Sequence, residues 1–428
     1  MYAFPLIQFG CPVNKNKLTF RKFISMLSRL MIIMLAGIPA FVYGQYKNDD
    51  VFYKTVDVAE FCAMLDKHKE HLLLDVRSKG ENSDTSTFTG LNIGHLKGAK
   101  NIDVRELGNR LAEISAYKDQ PIFVYCSHSQ RSRRASKMLA DSGFKRVYNV
   151  NGGLTALYGF QDCIPQLIAS GNKYEIISPK EVCHRINAGK NFFLLDVRAD
   201  SAFRGISPDA RTNAQGYLKG SINIPVNELG MKLSLVPRDK QIIVTDLYGG
   251  DAGKAAALLT QNGYTNVAVL IEGINRWLGT DEQELTCKYE AYVSPVKYRI
   301  LSSKEFGRFM QHKKEHLLLD VRTADEFANK SKDSWRNIGQ LMNAINIPGA
   351  ELGTRINELE SYRDKEIIIY AFGSGPEAFE AARMLADYGF KKTHVLISGL
   401  HNIRWLAAND KTQASLKTWV VNVPEINW

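Results

Sequence analysis

At 428 residues the chain is too long for one ordinary hydrophobic core, so two or three domains are expected. Its 45% hydrophobic and 23% charged residues are globular proportions and exclude wholesale disorder. The formal charge of +10 is carried in part by Lys15, Lys17, Arg21, Lys22 and Arg29; without them the balance is 50 basic to 45 acidic residues, with no long Lys/Arg run, which excludes a nucleic-acid partner from the expectations.

Those basic residues lead into the apolar stretch "LMIIMLAGIPAFVYG" (Leu30 to Gly44), whose Val42 and Gly44 fit the positions before a signal-peptidase cut. Residues 1–44 are therefore expected to be a signal peptide, with Gln45 first in an exported, periplasmic or secreted chain. Residues 1–25 make a long leader, so Met26 is a second candidate for the start. The rival reading is a membrane anchor. Against it, the apolar run is shorter than the roughly 20 residues that span a bilayer, and Gly37 and Pro39 interrupt it, so no stable membrane span is expected.

Three copies of one unit follow. "KEHLLLDVR" stands at Lys69 to Arg77 and again at Lys314 to Arg322, with "NFFLLDVR" (Asn191 to Arg198) between them. "YKTVDVAEF" (from Tyr53), "YEIISPKEV" (from Tyr174) and "YRILSSKEF" (from Tyr298) open the units; "MLADSGF" (Met138), "LLTQNGY" (Leu258) and "MLADYGF" (Met384) come near their ends. A period of about 120 residues means tandem whole domains, expected at 50–161, 171–281 and 295–410, with a tail at 411–428. That tail is apolar enough to pack back on a domain or to meet a partner.

Within the first unit, "HLLLDV", "IFVYC" and "RVYNV" are apolar runs of strand length, as expected for strands covered on both faces. "SRRASKMLADSG" puts Ala135, Met138 and Leu139 on one helical face, with Gly143 at the cap. Strand-helix-strand order implies an α/β fold, each unit a parallel sheet with helices on both faces, and reactive groups beyond the carboxyl ends of the strands. The segment from Ser78 to Ile93, rich in Ser, Thr and Asn, reads as a solvent-facing loop or as a rim that selects an acceptor.

Cys126 stands at such a strand end in "VYCSHSQRS". The loop Ser127-His128-Ser129-Gln130 leads into a helix N-terminus, where free N–H groups and the dipole favour an anion, and Arg131 adds a positive charge. A thiolate is the nucleophilic form of cysteine, so this is a setting for a reactive thiol; the alternative is a buried structural cysteine. His128 could act as a base, but its place in the loop tip reads as solvated. Cys62 and Cys183, at matching positions of the first helix, read as core or surface filler. Cys163 and Cys287, in the linkers after units one and two, are the candidates for a disulfide in an oxidising compartment. No metal-ligand spacing and no phosphate-binding glycine motif occurs, so neither metal nor cofactor is expected.

Taken together, "LLLDVR", "GHLKGAKNI" (from Gly94), "VYCSHSQRS" and "MLADSGFKRVYNVNGG" resemble the rhodanese family of sulfurtransferases, over nearly the whole mature chain, as three tandem rhodanese-like domains. The resemblance implies a five-stranded parallel sheet and a six-residue active-site loop. Its opening cysteine, here Cys126, takes a sulfane sulfur from a thiosulfate- or persulfide-type donor, becomes a persulfide, and passes the sulfur to a thiol or cyanide-like acceptor, a protein thiol included. Ser127, His128, Ser129, Gln130 and Arg131 match the remaining loop positions. Asp75 and Arg77 match an Asp-Val-Arg element that either supports the site or forms a structural ion pair. Related phosphatases use a longer C-x-x-x-x-x-R loop, whereas here Arg131 closes C-x-x-x-x-R, which favours sulfur over phosphate.

At the cysteine position units two and three have Asp246 and Ala371. An aspartate there is expected to repel anions, and unit three has an extra residue and Pro376 before its helix. Both are expected to be inactive copies. The rival function is a non-catalytic persulfide carrier, redox sensor or interaction scaffold.

Overall fold

The computed structural model describes residues 53–68, 70–160, 166–312 and 315–424. The signal-peptide expectation for residues 1–44, Cys163 and the last four residues of the tail lie outside them. The first domain is a five-stranded, all-parallel sheet in the order Lys54–Val56, Arg146–Val150, Pro121–Tyr125, Leu72–Asp75, Lys100–Asn101. The second repeats the order with Gln241–Thr245 at the centre, and the third with Glu366–Tyr370. The apolar runs become strands because both sheet faces are covered. Along the two inner strands, Leu72, Leu74, Ile122 and Val124 enter one core with Ala135 and Leu139, while Leu73, Phe123 and Tyr125 enter the other with Phe61 and Leu154. Asp57 caps the first helix, Val58–Lys67, by accepting the Glu60 N–H at 2.8 Å. The helix Gln130–Asp141 ends where Gly143 takes φ +86, with the Phe144 N–H returning to the Leu139 carbonyl.

Each domain is followed by a segment that folds back on it as a short antiparallel strand: Ile168–Ala169 on His95–Leu96, Tyr292–Val293 on Tyr217–Leu218, and Val420–Val421 on Gln340–Leu341. The C-terminal tail thus packs back, and Leu416 is fully buried in the third domain. The same return path corrects the disulfide expectation. Cys287 is bonded to Cys183, not to Cys163, because the linker after domain two crosses that domain's first helix, Pro179–Asn187, with the two Cα atoms 5.7 Å apart. Cys62 is also disulfide-bonded, so neither helix cysteine is filler.

Lys288, beside that disulfide, is 1% exposed; it donates to Glu305 on the first helix of domain three at 2.9 Å and to the carbonyls of Leu278 and Thr280. Burial pulls this lysine below its ordinary pKa, opposed by Glu305. Removing one member of such a pair leaves the other charge buried without its counter-charge. Glu305→Ala should lose about 3–5 kcal/mol in denaturant unfolding of the junction between domains two and three. Peptide mapping without reductant should return Cys183 linked to Cys287 and leave Cys126 as a free thiol.

Candidate functional site

Cys126 follows the central strand directly and is 2% exposed. Its Sγ accepts the Ser129 N–H at 3.1 Å, so at least one loop amide points inward at the sulfur. Among the described residues it is the one free cysteine. Ser129 sits at φ +91, a left-handed backbone that costs a non-glycine residue on the order of 1 kcal/mol. Its hydroxyl accepts the Gly152 N–H at 2.5 Å and lies 3.3 Å from the Val150 carbonyl and 3.4 Å from Asn151 Oδ1. Asn151 in turn donates to the Asn409 carbonyl in domain three at 3.2 Å. Next along the helix, Ser132 donates to Asn149 Oδ1 at 2.6 Å.

Arg131 is not the free cation that the sequence suggests. Its guanidinium grips both oxygens of Glu81 at 2.6 and 2.7 Å, and donates to Ser127 Oγ at 3.1 Å. That contact, with a further contribution from nearby Cys126, holds Arg131 above the ordinary arginine range. Burial raises the Glu81 carboxyl, but Arg131 and Ser78 outweigh it and bring it down to about 2. Glu81 was missed from the sequence, although Ser78-Lys-Gly-Glu81 is a legible capping box and forms as one on the helix Lys79–Asn82. Gln130 lies at the loop's rim and faces a cavity of about 660 Å³ between the three domains. His128 faces it too, 51% exposed, yet it is not simply solvated: its Nε2 is bonded to Glu272 of domain two. Arg77 is fully buried, paired with Asp75 at 2.7 Å and bonded to the Gly94 carbonyl. The same arrangement recurs in Asp196/Arg198 and Asp320/Arg322, in the domains without a cysteine, so this pair belongs to the scaffold.

The two other loops show what the cysteine setting becomes without sulfur. Asp246 does not merely repel anions; its own carboxylate fills the nest, accepting the N–H groups of Gly249, of Asp251 at 2.7 Å and of Ala252 at 3.0 Å. Burial nevertheless pushes this carboxyl above its usual pKa. In the repeat register these donors are Ser129, Arg131 and Ser132 of domain one. The Ser78–Ile93 segment is no free loop: Thr89 donates to the Gly250 carbonyl, and a Cβ on Gly90 would stand 3.0 Å from Gly250 N. Domain one therefore covers domain two's loop. In domain three the Ala371 loop is met by that domain's own Trp335, whose ring stands 5.2 Å from Phe372.

A parallel five-stranded sheet, with a thiol at the carboxyl end of its central strand and the N–H of the next helix's N-cap residue turned towards it, defines a cysteine-loop α/β domain. The model of the rhodanese-like domain matches residues 57–159, 178–280 and 302–404, and the chain belongs to that family, its relatives including thiosulfate sulfurtransferases. It is 32% identical over 128 residues to the uncharacterized protein YqhL of Bacillus subtilis, covering 90% of that protein and 30% of this chain. Against the thiosulfate sulfurtransferase GlpE of Shewanella oneidensis the identity is 35% over 104 residues, 91% of that protein and 24% of this chain. The tRNA uridine(34) hydroxylase of Cytophaga hutchinsonii is 30% identical over 129 residues, which span 38% of its length and 29% of this chain. Among solved structures, the thiosulfate sulfurtransferase of Pseudomonas aeruginosa aligns with 80% of this chain and 66% of its own, at 18% identity and a TM-score of 0.21, too low to compare domain arrangements.

With its folded-state pKa depressed, Glu81 contributes stability that is complete above about pH 4.5 and lost as the pH falls towards about 2. Glu81→Gln should therefore melt below wild type at neutral pH, with the gap between the two melting temperatures closing across that window.

Proposed function

We propose that this chain is an exported sulfurtransferase that carries a sulfane sulfur on Cys126 from a thiosulfate- or persulfide-type donor to a thiophilic acceptor. The observation that carries the reading is the Ser129 N–H directed at Cys126 Sγ, at the end of the central strand of a rhodanese-like domain. The Cys126 thiolate attacks the outer sulfur of thiosulfate; the S–S bond breaks and sulfite leaves with the electron pair. An acceptor thiolate or cyanide then bonds to that sulfur and returns the pair to Cys126. The Asp246 carboxylate marks the place of the extra atom: by register, the Arg131 and Ser132 amides are the donors left for a persulfide's outer sulfur. Arg131, neutralised by Glu81, keeps the mouth of the loop in shape rather than attracting donors from afar.

Export is supported by the basic-then-apolar leader and by the Cys183–Cys287 disulfide, which suits an oxidising compartment. Among the described residues no helix is long and apolar enough to cross a membrane. The thiosulfate sulfurtransferases among the relatives support the donor class, at identities that leave the physiological donor to experiment.

The test is thiocyanate formation from thiosulfate and cyanide. Wild type should turn over, and Cys126→Ser should fall to background. Adding Asp246→Cys to that variant should restore nothing, because Thr89 and Gly90 already cover the second loop. Equal activity in wild type and Cys126→Ser sinks the assignment. A Cys126 peptide that gains one sulfur without turnover moves the reading to a persulfide carrier.

A further inference from the structure

Glu272 stands at the start of the helix Gly273–Gly279 with φ +53, a left-handed backbone that suits glycine. The first domain places Gly152 (φ +74) at the matching position. Domain two holds a glutamate there under backbone strain, and strain retained at one residue points to a task for its side chain. That side chain is 21% exposed and leaves its own domain, meeting Nε2 of His128, the second residue after Cys126. It also lies 3.6 Å from Arg276. Although burial raises the Glu272 carboxyl, His128 and Arg276 hold it below the usual range, so it faces the imidazole as an anion.

We propose that Glu272, supplied by the cysteine-less second domain, is a positioning residue for the Cys126 loop. It binds His128 through Nε2–H, fixes the tautomer, and leaves Nδ1 directed at an incoming acceptor. His128 Nδ1 makes no hydrogen bond to a described residue, and His128 lines the cavity of about 660 Å³ between the three domains. In this arrangement the acceptor S–H gives its proton to Nδ1. Its sulfur bonds to the outer sulfur of a protonated Cys126 persulfide, and the S–S bond to Cys126 breaks with the pair returning to the cysteine. Second-domain chemistry is then not missing: the domain contributes a carboxylate in place of a nucleophile.

The inference rests on the sulfur-transfer reading, and its test has two arms. In the kinetic arm, with a thiol acceptor, Glu272→Gly should lower kcat about tenfold, with the donor KM unchanged. That is less than the roughly hundredfold or more that a positioned proton-transfer group itself supplies, because Glu272 acts only through His128. It should melt near wild type, since glycine relaxes the backbone there. Glu272→Gln, which keeps the length and a hydrogen-bonding oxygen, should fall between the two, and Glu272→Gly/His128→Ala should be no slower than His128→Ala alone. Full kcat in Glu272→Gly, or additive losses in the double variant, overturns the proposal. The second arm needs no turnover: the imidazole ¹⁵N spectrum should show His128 protonated on Nε2 in wild type and redistributed in Glu272→Gly. Identical spectra overturn the proposal even if the enzyme is active. A changed spectrum in a protein that transfers no sulfur leaves the positioning contact standing and removes the sulfur-transfer reading instead.

Discussion

Each domain turns on one constraint: the helix after the central strand begins with backbone N–H groups that have no intrahelical partner, and something must accept them. In domain one an acceptor is the sulfur of Cys126. In domain two both oxygens of Asp246 take three amides, so the loop carries its own built-in acceptor. In domain three Ala371 has nothing to offer, and the helix begins at Glu377 behind Pro376, a residue with no N–H to satisfy. One backbone device thus has two fillings, a sulfur and a carboxylate, and a third form without one.

The order of the domains follows from how the copies pack. The segment after the Asp-Val-Arg element of domain one reaches forward and lies on the loop of domain two, where Gly249, Gly250 and Gly253 give its Thr89 and Gly90 room. The corresponding helix of domain two, Ala210–Ala214, packs on the loop-proximal helix Glu377–Asp387 of domain three. In both cases the segment meets the next of the three domains, on the loop in domain two and on the helix behind it in domain three. Domain one is the described domain on which no such segment lies, and there the cysteine stands. Its register neighbours are bulkier, with Arg133 at the place of Gly253 stacked 4.5 Å over Trp405 of domain three.

Much of this was legible because it is written locally. The consecutive apolar residues of "HLLLDV" and "IFVYC" have the length and pattern of strands buried on both sides, and a cysteine ending one of them stands at the candidate site. The Asp75–Arg77 pair was legible as well, though only its recurrence in domains two and three separates scaffold from site. What escaped depends on how elements approach one another. Nothing near Glu272 in the chain hints that it will meet a histidine 144 residues away. Arg131 looked like a free charge because Glu81 lies fifty residues upstream. The disulfide differs from the expectation for a related reason: the linker returns across the first helix of the domain it has just left, about a hundred residues back in the chain.

Ser129 shows why the first loop is built differently from the second. Gly249, in the same left-handed turn at φ +90, is relaxed, and Asp246 holds that loop closed from inside. Under the sulfur-transfer proposal the first loop gains and loses a sulfur atom, so its filling cannot be what holds it. It has to be held from outside. The serine hydroxyl accepts the Gly152 N–H and sits against Asn151, which is itself tied to the Asn409 carbonyl of domain three. Glycine would relax the backbone at this position and cut that tie. Domain three thereby steadies one side of the loop while Glu272 of domain two meets the other. The strain at Ser129 is the cost of a nest held from outside rather than by its filling.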